Sequence, residues 1–189
     1  YDNPGNKSKR RRIIFDNRKP SLKVKTEKQP TNGTLYTNKK VIFESQDEYD
    51  KNPKLYVKNK NGECRELHQR ELIQDGKYEV YAEDQCGNRS EAIKVIISTK
   101  EPRCDVLIDG QLSEKRYTNS TYIRVEADEG SRIMHNYNGN WIEYASGYKL
   151  EDGEHLFKAV DRADNESTIK RIYQKLQLIK IKFELCKSM

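Results

Sequence analysis

The residues of this sequence that could perform acid–base or nucleophilic chemistry are led by three histidines, His68, His135 and His155. His155 occupies an inward-facing strand position, which favours a buried histidine with satisfied hydrogen bonds over a ligand. Neither a nucleophile elbow nor a glycine-rich phosphate loop accompanies the histidines. The adjacent carboxylates Asp128 and Glu129 lie in a predicted turn and indicate a solvated loop. The sequence therefore predicts no catalytic residue, no cofactor and no enzyme activity.

The cysteines offer a second kind of chemistry, redox or metal-binding. Their spacings match no zinc motif. A local bridge between Cys64 and Cys86 suits a secreted protein, but a second copy of the same segment carries Trp141 and Ala163 at the matching places,. No disulfide therefore defines the repeat, and the redox state of the cysteines stays open. The four cysteines are Cys64, Cys86, Cys104 and Cys186.

The element that must position all of these residues is an internal repeat. Residues 75–90, DGKYEVYAEDQCGNRS, recur 77 positions later at residues 152–167 as DGEHLFKAVDRADNES. A partial copy opens the chain, where Asp2, Asn6 and Ser8 keep the spacing of residues 84, 88 and 90. Repeats of this length indicate a tandem array of similar units.

Each copy of the repeat predicts a turn, a strand and a second turn. In the first copy, Tyr78, Val80 and Ala82 alternate with charged or polar residues, which is typical of a half-buried strand,. Asp84 and Asp161 end these strands and are predicted to form turns through their own side chains. A cation site is the alternative, but one carboxylate per repeat is poor calcium chemistry, so no metal is predicted.

About seven short strands per unit, separated by turn signals, predict an all-β fold of two tandem immunoglobulin-like sandwiches. The predicted organisation is the end of a preceding repeat or a linker at 1–18, domain 1 at 19–100, domain 2 at 101–175 and a terminal segment at 176–189. The terminal segment alternates apolar and charged residues. It is either the start of another repeat or a strand that closes a sheet edge.

Aromatic residues supply the candidate binding surface. Tyr81, Tyr137 and Tyr144 are expected to be exposed, which either marks a recognition surface or reflects single scattered tyrosines,. Trp141 follows the Asn-Gly turn of a predicted hairpin and is expected to pack in the core or across the hairpin, close to Tyr137. It completes the candidate surface.

Charge supplies a second candidate surface. The chain has a formal net charge of +6, with lysine and arginine interleaved among 30 acidic residues, a pattern that disfavours nucleic acid as a partner,. The one dense basic run contains Lys9, Arg10, Arg11 and Arg12, which are either a solvated edge or an anion contact,. No apolar run is long enough for membrane insertion.

The repeat resembles the bacterial immunoglobulin-like domains that occur in tandem on surface proteins of Gram-positive bacteria. The segments that carry the resemblance are Tyr117-Thr118-Asn119, Asn138-Gly139, Ser146-Gly147, Asp152-Gly153 and the Ala159, Asp161, Asn165 series. It covers about residues 19–174. The glycine that the family places before the final Asn is absent from the second copy, and His155 replaces the corner tyrosine, Tyr78.

The resemblance implies a fold more specifically than a function. It implies a non-enzymatic module of a bacterial cell-surface protein, extracellular or on the cell surface, which acts as a stalk or as an adhesive segment. An accessory module that positions a secreted enzyme, such as a polysaccharide hydrolase, is the alternative. A host or cell-wall protein or glycan is then the expected partner, and the chain is expected to be a monomeric fragment of a larger multidomain protein.

Overall fold

The structure is a computed structural model that describes residues 9, 11, 13, 15–114, 117–120, 122–145 and 149–175. The predicted strand or further segment at 176–189, including Cys186, lies outside these residues. The chain divides into two compact units, unit 1 (Tyr1–Ile97) and unit 2 (Ser98–Met189). The described residues contain no helix, and hence none long and apolar enough to cross a membrane.

Unit 1 contains two sheets with one apolar core between them. Its strands are β1 (Ser21–Val24), β2 (Thr34–Thr37), β3 (Val41–Gln46), β4 (Lys54–Asn59), β5 (Cys64–Glu66), β6 (Glu71–Leu72), β7 (Gly76–Glu83) and β8 (Ile93–Ile97). One sheet has the order β1-β3-β6 and the other the order β2-β8-β7-β4-β5. The core takes Phe43 from the first sheet and Leu35, Leu55 and Val80 from the second.

Unit 2 repeats this plan. Its strands are β9 (Cys104–Ile108), β10 (Gln111–Leu112), β11 (Tyr117–Thr118), β12 (Ile123–Ala127), β13 (Arg132–Tyr137), β14 (Asn140–Glu143), β15 (Gly153–Val160) and β16 (Lys170–Gln174). The sheets have the orders β10-β9-β12 and β11-β16-β15-β13-β14. Phe157, fully buried, packs at the centre of its core. The prediction of an all-β fold with two tandem sandwiches is confirmed.

Register, more than strand position, determines which side chains meet. In unit 1 the alternation predicted for β7 places Val80 opposite Val57 in the core and Tyr81 opposite Tyr56 on the outer face. In unit 2 the Asn-Gly turn joins β13 to β14, and positive φ angles of 58° at Asn138 and 90° at Gly139 suit a tight hairpin,.

The hairpin register determines the faces on which Tyr137 and Trp141 lie. Trp141 pairs with Asn136, whereas Tyr137 pairs with Asn140. Because successive side chains of a strand point to opposite faces, Tyr137 lies on the core face and Trp141 on the outer face. The two residues are thus one register position apart on neighbouring strands with their side chains on opposite faces, and their predicted closeness across the hairpin stays a prediction.

Candidate functional site

The repeated motif builds the same loop in both units. In unit 1, Oδ1 of Asp84 accepts hydrogen bonds from the backbone N–H groups of Cys86 (2.9 Å) and Asn88 (2.8 Å), and Oδ2 accepts from Nδ2 of Asn88 (2.8 Å). In unit 2, Asp161 accepts the same three bonds from Ala163 and Asn165. The turn-forming role predicted for both aspartates is thereby confirmed.

The motif also holds the segment that leads into each unit. Nδ2 of Asn88 donates to the carbonyl oxygen of Asp16 (3.1 Å), and Nδ2 of Asn165 donates to that of Ser98 (2.8 Å). In unit 2, Oγ of Ser167 accepts from the N–H of Ala159 and donates to the carbonyl of Thr168. The polar side chains of the repeated motif, the most regular feature of the sequence, therefore hold the backbone in place.

Three carboxylates meet beside this loop in unit 1. One oxygen each from Asp16, Asp47 and Asp84 lies within 4.8 Å of the others. Burial alone would raise the pKa of Asp84, but hydrogen bonds from the side chain of Asn88 and from three backbone amides outweigh it and lower that pKa. Three oxygen donors fall short of the six to eight that calcium takes, and all three carboxylates already accept backbone amides,.

Two histidines form a buried pair in unit 2. Nε2 of His135 lies 2.9 Å from Nδ1 of His155, and Nε2 of His155 lies 2.9 Å from the carbonyl oxygen of Glu151. Because a carbonyl only accepts, Nε2 of His155 carries the proton, and its Nδ1 in the neutral ring accepts from His135. His155 is 1% exposed, so the expected satisfied core histidine is confirmed.

In unit 2, His155 and Tyr137 together replace the corner hydrogen bonds that one tyrosine makes in unit 1. There, the hydroxyl of Tyr78 donates to the carbonyl of Gln74 (3.1 Å) and approaches that of Asp75 (3.4 Å). In unit 2, His155 bonds the carbonyl that corresponds to Gln74, and the Tyr137 hydroxyl donates to Asp152 (3.2 Å). Replacement of the corner tyrosine thus leaves both carbonyls satisfied.

The rings around this pair form a stack. His135 lies 4.6 Å from Phe157 between ring centroids, and Tyr137 lies 4.7 Å from His155. Burial first, and then the neighbouring His155, lower the pKa of His135 to about 4. Tyr144 meets Phe157 edge-on at 5.2 Å and is 6% exposed. The structure corrects its proposed place on a binding surface, because its ring belongs to the core.

Tyr81 lies on the outer face of unit 1 within a small polar–aromatic cluster. Its ring stacks on Tyr56 with centroids 5.5 Å apart, and the guanidinium of Arg89 lies 5.0 Å from its centroid. Its hydroxyl shares a 3.5 Å hydrogen bond with the Cys64 thiol. That bond and partial burial raise the pKa of Tyr81 to about 12. The phenol therefore stays protonated at neutral pH.

The remaining candidate residues are dispersed. Trp141 is half-buried on the outer face of unit 2, where Nζ of Lys158 lies 4.7 Å from its ring centroid. Lys9 and Arg11 are exposed in irregular chain, while Arg10 and Arg12 lie outside the described residues. Of the predicted surface aromatics, Tyr137 and Tyr144 both pack against His135, whereas Tyr81 and Trp141 lie on the outer faces of different units. An anion contact at the basic run stays a prediction.

The described cysteines are free thiols in contrasting surroundings. Cys64 and Cys86 are exposed and both are free, so the suggested bridge between them is not formed here. Cys104 is buried on β9. Burial raises the pKa of the Cys104 thiol, which disfavours the reactive thiolate,.

We expect iodoacetamide to alkylate Cys64 and Cys86 in the native protein on the order of a hundredfold faster than Cys104, because a buried thiol reacts only through local opening. Peptide mass spectrometry after timed quenching measures the three rates separately. Unfolding in urea is the control and should bring them within a few-fold of one another. Rapid native alkylation of Cys104 would contradict the buried placement.

Comparison with known proteins assigns this chain to no family. No protein-family model matches this chain, and no curated protein matches it. One similar solved structure is described as "Structures of Clostridium thermocellum CbhA fibronectin(III)-like modules". It shares 16% sequence identity and has a TM-score of 0.39 over 82% of this chain and 95% of that chain. At this level of similarity, the fold assignment rests on the sheets described above.

Proposed function

We propose that the two units are a non-enzymatic, force-bearing spacer within a larger surface or secreted protein of a bacterium. The observation that carries this proposal is a strand pairing found in both units. In unit 1, β2 pairs in parallel with the last strand, β8; in unit 2, β11 pairs in parallel with β16, the last strand among the residues that the structure describes. Both pairings join an early strand of a unit directly to the final described strand of the same unit.

Parallel pairing determines how such a unit responds to tension. The start of one strand and the end of its parallel partner lie at opposite ends of the ladder. Tension applied through the chain therefore shears all of the ladder hydrogen bonds together. In an antiparallel pair the same tension would separate the bonds one after another. A sheared ladder gives a higher barrier to forced unfolding, and that barrier governs mechanical lifetime.

The repeated Asp–Asn loop supports the same proposal. Asn88 and Asn165 each tie the backbone that leads into their own unit to the loop after a central strand, β7 or β15. Both units hold the backbone at this point in the same way. The polar atoms of the motif bond to other groups of the same unit, so this arrangement has no evident use in ligand binding. The arrangement suits a chain under tension, because the segment that leads into each unit must stay bound to that unit while neighbouring segments move.

Single-molecule pulling of the full chain between inert handles tests the proposal. The ladder of unit 1 has four register pairs, from Thr34↔Lys94 to Thr37↔Ile97, whereas unit 2 has two in its described residues. We therefore expect two unfolding events, the weaker one from unit 2. The N–H of Lys175 donates to the carbonyl of Thr118 (2.9 Å), so Lys175→Pro should lower the weaker force and leave the stronger one unchanged,.

Lys175→Ala is the matched control, because it removes the same side chain but keeps the N–H donor. Its unfolding forces should equal those of the parent chain. Equal effects of Pro and Ala, or no effect of either, would exclude the parallel ladder as the mechanical element. The bacterial surface placement rests on the sequence resemblance alone, and antibody labelling of intact cells against permeabilised cells tests it separately.

A further inference from the structure

A groove on unit 1 has a chemical character that the spacer role does not require. It lies on the outer face of the five-stranded sheet, has a volume of about 650 Å³ and extends to the turn after β4. Its walls carry lysine ammonium groups, and its lining also includes two tyrosines and one aliphatic side chain. The side chains that give the groove this character are Tyr36, Lys58, Lys60, Lys77, Lys94 and Ile96.

The sheet register arranges these side chains in two rows. Lys94, Glu79 and Lys58 lie opposite one another on three neighbouring strands. With strands about 4.8 Å apart, the two lysines of this row are attached to the backbone roughly 10 Å apart. In the next row, Ile96 lies between Tyr36 and Lys77. A basic row therefore lies beside a row that contains apolar surface.

The four lysines form no ion pair with any described residue, although Glu79 stands between two of them in register. Elsewhere on the same unit, Lys25 pairs with Glu44 at 3.2 Å and Lys40 with Glu71 at 3.2 Å. The groove thus combines four exposed cations with a single carboxylate. An anionic ligand would find positive charge here that the protein does not neutralise itself.

Unit 2 shows that the sandwich does not need lysines at these places. At the register-equivalent positions, Asn136 stands for Lys58, Leu156 for Glu79, Glu154 for Lys77 and Arg171 for Lys94. Nε of Arg171 pairs with Glu154 at 3.3 Å, so this face neutralises its own charge. The same fold carries a self-neutralised surface in one unit and an unneutralised basic groove in the other.

We propose that this groove binds an acidic polysaccharide, a chain of sugars bearing uronate carboxylates. The lysines meet the carboxylates, while Tyr36 and Ile96 offer apolar surface to the carbon-bound faces of the sugar rings. Glu79 accepts hydrogen bonds from sugar hydroxyls. A uronate polymer carries several hydroxyl donors on the same rings as its carboxylates, so it can meet the lysines and Glu79 together. DNA has no backbone hydroxyl, RNA has a single 2′-hydroxyl per nucleotide, and an acidic polypeptide offers backbone amides instead, so the combination matches a saccharide best.

Calorimetric titration of the full chain with a polygalacturonate oligomer tests the proposal. The same oligomer converted to its methyl ester is the neutral control, since it keeps the rings and hydroxyls but not the charge. We expect saturable binding of the acid, no binding of the ester, and weaker binding as salt screens the charges. Lys58→Gln/Lys94→Gln should raise the dissociation constant by about tenfold or more.

Lys23→Gln/Lys51→Gln makes the same change in net charge at exposed residues outside the groove, and its affinity should stay within about twofold of the parent. Absence of saturable binding, equal binding of the ester, or equal losses in the two double variants would overturn the proposal. Polyglutamate of matched charge is the last comparison, and binding as tight as that of polygalacturonate would overturn the assignment to a saccharide. Circular dichroism confirms that each variant is folded.

Discussion

Unit 2 is expected to lose about 3 kcal/mol of unfolding free energy between pH 7 and pH 4 through His135 alone. The pKa of this histidine is about 4 in the folded protein, against 6.5 for an unperturbed side chain. Below pH 6.5 the unfolded chain binds a proton that the folded chain does not. Stability therefore falls as the pH drops from 6.5 to about 4, and this group causes no further loss below that.

The physical reason is the surroundings of the ring. His135 is 8% exposed and packs against His155, Phe157, Tyr137 and Tyr144, none of which offers a negative charge at these pH values. A protonated ring would place an unneutralised charge in the core. Protein carboxyl groups also titrate near pH 4, so the contribution of His135 must be separated from theirs by a variant.

Urea unfolding followed by fluorescence measures this loss, because Trp141, the single tryptophan of the chain, reports on unit 2,. Val57 occupies the register-equivalent position in unit 1, so His135→Val introduces a residue that this fold already accepts there. The variant should lose about 3 kcal/mol less than the parent between pH 7 and pH 4. An identical loss in both proteins would contradict the assignment to His135.

Asp161→Ala is expected to lower the unfolding free energy of unit 2 by about 3 kcal/mol at neutral pH. The carboxylate accepts the N–H groups of Ala163 and Asn165, each at 2.8 Å, and Nδ2 of Asn165 at 2.9 Å. Ala163 and Asn165 are 4% and 8% exposed, so their donors would lose a partner without gaining full access to water.

Two further variants separate the hydrogen bonds from the charge in the same fluorescence assay. Asp161→Asn keeps one oxygen for the backbone amides, and we expect it to lose about half as much as Asp161→Ala. Glu129→Ala removes a carboxylate from an exposed turn and should change stability by less than about 0.5 kcal/mol,. A loss below about 1 kcal/mol for Asp161→Ala would mean that the loop does not depend on its side-chain cap.

Local sequence information was sufficient for the fold class. The alternation through Val80 and Ala82 predicts a strand, and the structure has β7 there; the Asn138-Gly139 pair predicts a hairpin, and β13 and β14 form it. The spacing of Asp161 and Asn165 within a few residues made their turn visible as well. These features depend on neighbours along the chain, which is why a single sequence sufficed to predict them.

The functional surfaces depend on partners far apart in sequence. Lys58, Lys77 and Lys94 come from three strands, and no local pattern marks them as one groove. Asp16 and Asp47 reach Asp84 only through folding, and a shift of one position between strands decides that Tyr137 lies on the core face and Trp141 on the outer face. Register is a property of the whole sheet, set by which apolar sets can be buried together.

The sequence by itself thus determined a tandem pair of all-β units and the loops that hold their backbone, because period-two alternation and turn chemistry act over a few residues. Only the tertiary structure decided that His135 and His155 share a hydrogen bond in the core, that Tyr144 is buried, and that unit 1 carries a basic groove. Cross-strand pairing between distant segments creates those surroundings, and they exist only once the sheets have formed.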